Sequence, residues 1–162
     1  MSPETVRPAP ALDVVQWFNT PAPLSLSSLR GRVVVLHAFQ MLCPGCVSSG
    51  LPQAQRIAAL FSGDEVAVIG IHTVFEHHDA MTPVALTAFL HEYRVRFPVC
   101  VDRPGDDGPI PRTMAAYGMR GTPSLVLIDR AGNLRRHAFG AEDDLKVGAE
   151  IGWLMAEPRP VD

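Results

Sequence analysis

Cys43-Pro44-Gly45-Cys46 is the stretch of this chain whose residue types and spacing best suit chemistry. Two residues between cysteines let one thiol attack a disulfide and the other resolve the mixed disulfide that forms. Pro44 suits the first turn of a helix. A cysteine at a helix start lies among free N–H groups at the positive end of the dipole. Both features favour a thiolate, and lowering a thiol pKa from about 8.5 to about 7 raises the thiolate fraction at neutral pH from about 3% to about 50%. Cys46 lies one turn inward and is expected to be less exposed. The expectation is therefore that Cys43 is the nucleophile and Cys46 the resolving thiol. Half of a zinc site would use the same pair, but zinc generally takes four ligands and no second C-x-x-C is present. Cys100 stands alone in the apolar run Phe97–Val101, where a free cysteine is expected to pack in the core.

Alternating strand and helix signals must position these residues. Val14–Phe18 reads as a short strand, and Val33–Phe39 as a central strand covered on both faces. A helix is expected from near Pro44 to about Phe61, kinked by Pro52. Glu65–Ile71 reads as a second buried strand and the polar, histidine-rich stretch His72–Thr82 as a loop. Leu86, Phe89, Leu90 and Tyr93 fall at helical spacing after Pro83. Phe97–Val101 follows as a strand, Asp102–Pro109 as a loop and Pro111–Tyr117 as a short helix. Ser124–Ile128 and Leu134–Phe139 form a hairpin. The acidic run Glu142-Asp143-Asp144 marks the start of a last helix whose inner face is expected to be Leu145, Ile151 and Leu154. This order predicts an α/β sandwich with a mixed central sheet, and sites in such sheets gather beyond the carboxyl ends of the parallel strands. Cys43 follows one such end and the loop His72–His78 another.

The 162 residues suit one domain, and 47% hydrophobic against 19% charged residues give enough material for a core. Prolines crowd both ends, so residues 1–11 and 157–162 read as tails around a single domain at 12–156. A net charge of −3 without a basic run argues against a nucleic-acid partner. No segment approaches the roughly 20 apolar residues of a membrane span. The N-terminus lacks the pattern of a secretory signal, so a cytoplasmic location is expected. Three cysteines, an odd number, argue against a structural disulfide framework.

The runs VVVLHAFQMLCPGC and MRGTPSLVLIDRAGNL resemble the thioredoxin superfamily, and most closely its redoxin (AhpC-TSA-like) branch that includes the TlpA and ResA type proteins. The similarity covers roughly residues 12–155 in order of elements. It implies a thioredoxin-like three-layer sandwich, a mixed sheet flanked by helices, and dithiol–disulfide exchange without a cofactor. The partners implied are a disulfide- or thiol-containing protein substrate and a thiol or disulfide electron partner. It also implies a cis peptide bond at Thr122-Pro123 facing the cysteines, with Pro44, Gly45, Thr122 and Pro123 lining the substrate groove. His37 stands where relatives carry a buried aspartate implicated in proton transfer. A neutral imidazole there could take the Cys46 proton, or it could be a core histidine with its hydrogen bonds satisfied. Glu76 in the following loop could also carry protons, and His77 or His78 could join the thiolates as metal ligands; adjacent histidines in a polar loop are more often simply solvated. Departures from the family pattern are Leu42 in place of a tryptophan, Pro-Gly in place of Gly-Pro, and Pro52 one residue later than usual. Many TlpA-like relatives are exported or anchored.

Two other functions use the same residues. A peroxidase of the peroxiredoxin kind needs P-x-x-x-T-x-x-C, and here Leu36 and Gln40 occupy the proline and threonine positions. A copper- or zinc-handling protein would combine Cys43 and Cys46 with His72, His77 or His78.

Overall fold

A strand with no polar face has to be covered on both sides. Val33–Phe39 (β3), buried along its whole length, is the middle of a seven-stranded sheet. The computed structural model describes residues 6–161. The other strands are Arg7–Pro8 (β1), Val14–Phe18 (β2), Val66–His72 (β4), Val99–Asp102 (β5), Ser124–Ile128 (β6) and Asn133–Phe139 (β7). Their order across the sheet is β1-β7-β6-β3-β4-β5-β2. β3, β4 and β5 run parallel, and the remaining pairings are antiparallel. The helices are Leu51–Leu60 (α1), Pro83–Glu92 (α2), Arg112–Tyr117 (α3) and Asp144–Ala156 (α4).

The two-residue period of β3 divides the core. Val33, Val35 and Phe39 face α1, α2 and α4 through Leu51, Ile57, Leu86, Leu90, Ile151 and Leu154. Val34, Leu36 and Ala38 face the other way, toward Met114 and Tyr117 of α3 and the N-terminal Leu12 and Trp17. The result is the expected three-layer α/β sandwich. Asp102, last residue of β5, is 3% exposed and accepts the Thr113 and Met114 N–H groups at 2.8 and 2.9 Å and the Thr73 hydroxyl at 3.0 Å. It thereby caps the start of α3; burial raises its carboxyl above the ordinary range, and these donors oppose the rise.

Several elements differ from expectation for identifiable reasons. Pro52 does not sit in a regular helix. In an α-helix its ring would collide with the Ser48 carbonyl, which would also lose its N–H partner. The chain widens into a π turn at Cys46–Gly50, the Leu51 N–H reaching back to the Cys46 carbonyl, and α1 proper starts beyond it. The extra residue of the wide turn accounts for the late position of Pro52. His72 is not part of a loop: it closes β4 in register with Phe39 and Val101 and is 1% exposed. On α4 the inner face is Val147, Ile151 and Leu154, while Leu145 is 83% exposed. Two residues turn a helix by roughly 200°, so with Val147 inward Leu145 must point out. The ends expected to be loose are held where they are described. β1 pairs with β7, Ala9 N–H donates to Gly132, and Tyr117 hydroxyl donates to Pro10. At the other end Glu157 pairs with Arg135 and Arg159 with Glu65. Among the described residues no helix is long and apolar enough to cross a membrane.

Candidate active site

The chain leaves β3 through Gln40 and Met41, both buried, and three hydrogen bonds fix their course. Gln40 Oε1 accepts the Phe75 N–H at 3.2 Å, the Met41 N–H donates to His72 Nε2 at 3.2 Å, and the Thr73 N–H donates to the Phe39 carbonyl. With that corner stitched to the segment after β4, the next turn places the thiols. The Cys43 carbonyl accepts the N–H groups of Cys46 and Val47, both at 3.1 Å. The Cys46 N–H also points at Cys43 Sγ, 3.2 Å away, and the Cys43 thiol donates to the Thr122 carbonyl at 3.5 Å. All three cysteines are free thiols. Cys43 is partly exposed and Cys46 is 0% exposed. Burial pushes the Cys46 thiol well above its ordinary pKa, and the neighbouring Cys43 adds to the rise; hydrogen bonding to the Gln40 main chain and the Thr122 side chain opposes it. Leu42, beside Cys43, is 58% exposed.

The Thr122–Pro123 peptide bond is cis. Pro123 wedges against two glycines of the cysteine turn. A Cβ on Gly45 would stand 3.3 Å from Pro123 Cδ, and one on Gly50 would stand 3.0 Å from Pro123 Cβ. The Gly50 position would also strike His37, at 2.4 Å from Cε1 and 2.7 Å from Nε2. Gly50 therefore lets the turn lie directly on the imidazole. Sequence reading passed over this residue, although a glycine inside a helical pattern is the signal of such a close approach.

His37 lies under the turn, 3% exposed, its ring parallel to Phe39 at 6.2 Å. Burial pushes its pKa down to about 4, so the ring is neutral at ordinary pH. Its Nε2 is buried without a partner among the described residues, and His37 is among the residues lining a cavity of about 180 Å³, with Ser48, Ser49, Gln53 and Glu142.

The loop residues make no hydrogen bond to the thiols among the described residues. Glu76, His77 and His78 are exposed; His78 Nε2 lies 3.3 Å from the Pro109 carbonyl, and none of the three bonds to either cysteine. Among the described residues no group of three or more His, Cys, Asp or Glu is placed to hold a metal ion. Cys100 lies on the opposite face of the sheet from Cys43 and Cys46, donating to the Gly70 carbonyl, and burial pushes its thiol up.

An accessible thiol, a buried thiol one turn inward and a proline loop facing both define a thioredoxin-like thiol–disulfide oxidoreductase. The chain belongs to the Redoxin family, whose model matches residues 7–149. It is similar to a crystal structure of a thioredoxin-like superfamily protein at 62% identity and TM-score 0.93, covering 95% of this chain and 99% of that one. It is also similar to the crystal structure of a thiol-disulfide isomerase from Corynebacterium glutamicum at 50% identity and TM-score 0.88, covering 93% and 98%. Among curated proteins it is 29% identical over 160 residues to Protein DipZ of Mycobacterium bovis and of Mycobacterium tuberculosis. The match covers 97% of this chain but only 22% of the length of those relatives. The chain is a Redoxin-family protein on a thioredoxin-like fold.

Proposed function

We propose that this protein exchanges disulfides with thiol- or disulfide-containing polypeptides, Cys43 attacking and Cys46 resolving. One observation carries the assignment: the two sulfurs are one turn apart, and only Cys43 can be reached from outside. In the reducing direction the Cys43 thiolate attacks one sulfur of the substrate disulfide, forming a mixed disulfide and releasing the other sulfur as a thiolate. Cys46 gives up its proton and attacks Cys43 Sγ. The second substrate sulfur leaves, takes up a proton, and a Cys43–Cys46 disulfide remains. Two electrons have passed to the substrate, and the reverse sequence oxidises a dithiol.

The surrounding groups serve these steps. The Cys46 N–H is a donor to a sulfur that carries charge during attack and departure. Thr122 and Gln40 favour negative charge on Cys46 as it attacks. Thr122 and Pro123, with Pro44 and Gly45, form the walls against which a substrate segment lies. His37, neutral and with Nε2 unpaired among the described residues, is a weak base after burial and would hold the Cys46 proton only in passing, whereas exposed Glu76 takes no part. The 50% identity to the thiol-disulfide isomerase from Corynebacterium glutamicum supports the reading. Peroxide reduction gains no support, since the Gln40 amide is committed to the Phe75 N–H.

Trapping tests the roles. Cys46→Ser should accumulate mixed disulfides through Cys43, and Cys43→Ser should trap few and lose exchange. Equal trapping by the two variants would contradict the assignment.

A further inference from the structure

Beside the groove stand two side chains that the exchange steps leave unused. Phe139, the last residue of β7, is paired in register with Ser124, next to Pro123, and the Gly140 N–H donates to the Pro123 carbonyl at 2.9 Å. Phe139 is nevertheless 52% exposed. Its ring lies against Gly121 so closely that a Cβ there would stand 3.0 Å from Cε2. The guanidinium of Arg120 sits over the ring at 5.9 Å from its centroid. Arg120 is exposed and pairs with no carboxylate among the described residues. The acidic side chain closest along the chain to Phe139, Glu142, is held by Arg136 at 2.8 Å and leaves Arg120 unneutralised. Arg120 is two residues from Thr122, whose carbonyl receives the Cys43 thiol, so the two Cα atoms are at most about 7 Å apart.

A positive charge carried on an exposed aromatic face, tied to the proline that lines the groove, is a small recognition surface. Resting on the exchange reading above, we propose that Arg120 and Phe139 form a selectivity lip. It takes an acidic side chain of an extended polypeptide substrate, close in sequence to the cysteine that Cys43 attacks. The guanidinium offers a fork of donors to a carboxylate, while the ring supports the apolar stem of that residue or its neighbour. Leu42 adds exposed apolar surface beside Cys43.

The test uses two synthetic disulfide peptides identical except for Glu or Lys beside the attacked cysteine. Wild type should show kcat/KM about five-fold higher for the Glu peptide, the order expected of one exposed charge contact. Arg120→Glu should invert the ratio, and raising salt to about 0.5 M should shrink it in both proteins. Phe139→Ser should lower the ratio without inverting it. A wild-type ratio of one, or a ratio that Arg120→Glu leaves unchanged, overturns the lip. Binding of the same peptides with serine in place of cysteine, measured by calorimetry, gives a readout without exchange: tighter binding of the Glu peptide supports the lip and equal binding overturns it. Failure of wild type to reduce either peptide or bis(2-hydroxyethyl) disulfide would refute the exchange reading instead, with the serine peptides still deciding the lip.

Discussion

Gly50 is the point where the cysteine turn, the buried histidine and the proline loop press together, and adding one methyl group there should be felt by all three. The new Cβ of Gly50→Ala would stand 2.4 Å from His37 Cε1, 2.7 Å from Nε2 and 3.0 Å from Pro123 Cβ. His37 is 3% exposed and stacked on Phe39, so its ring can give way only toward the cavity it lines. Overpacking of this kind costs about 1–3 kcal/mol, and replacing a helical glycine by alanine returns up to about 1 kcal/mol. The net expectation is a loss of about 1–2 kcal/mol, or a Tm lowered by about 2–8 °C in a chain of this size. Urea and thermal unfolding of the reduced protein measure it, reduction keeping a Cys43–Cys46 disulfide out of the comparison. The decisive arm is the double mutant. In a His37→Ala background the two shortest contacts vanish and only Pro123 remains close, so the cost of Gly50→Ala should fall to near zero, a coupling of about 1–2 kcal/mol. Gly50→Ala as stable as wild type, or equally costly with and without His37, would refute the packing argument.

Other outcomes follow from the buried polar groups. His72 Nε2 accepts the Met41 N–H, which only a neutral imidazole can do, and burial holds both His72 and His37 down to about 4. The unfolded chain takes up these protons near pH 6.5 and the folded chain only near 4, so stability is full above 6.5 and falls as pH drops through that window, by about 3 kcal/mol per histidine. Asp102 acts with the opposite sign, its raised carboxyl binding a proton more readily in the fold, and offsets part of the fall. Urea midpoints at pH 7 and pH 5 should therefore differ less in His72→Gln than in wild type; parallel slopes would remove His72 as a source. Asp102→Ala leaves the Thr113 and Met114 N–H groups without their acceptor and should cost about 2–3 kcal/mol by thermal unfolding, with Asp102→Asn costing less. His37→Asn should change the pH dependence of the Cys46 step in single-turnover disulfide reduction, and an unchanged profile would take His37 out of the proton path.

Much of the frame was legible because it rests on local patterns. β2 and β3 fall at Val14–Phe18 and Val33–Phe39 as their apolar runs indicate, and Cys100, in a separate strand, lies across the sheet from the other thiols. Failures arise where a tertiary contact decides. His72 reads as polar loop, yet its ring packs on Phe39 at 5.1 Å and completes the corner beneath Cys43. Leu145 fits an inner face by composition but not by helix phase, which Asp143 sets by capping the Lys146 N–H. Glu76, His77 and His78 are exposed, in keeping with the solvated reading of adjacent histidines in a polar loop.

The π turn shows how a deviation from the family pattern can be read physically. Pro52, one residue late, signals one inserted residue in the helix that carries Cys46, and an inserted residue in a helix is what a π turn is. The insertion falls at Cys46–Gly50, from the buried thiol up to α1, so α1 keeps Leu51, Ala54 and Ile57 against β3 while the cysteine turn is set independently. That turn then needs small residues where it meets Pro123 and His37, and it has them at Gly45 and Gly50. The order Pro44-Gly45 belongs to the same requirement: with the side chain at 44 and none at 45, Pro123 closes to within van der Waals reach and the Thr122 carbonyl meets Cys43 Sγ. The inequality between the two thiols is thus built by backbone packing, with Cys46 shut in by the contacts that leave Cys43 open to a substrate.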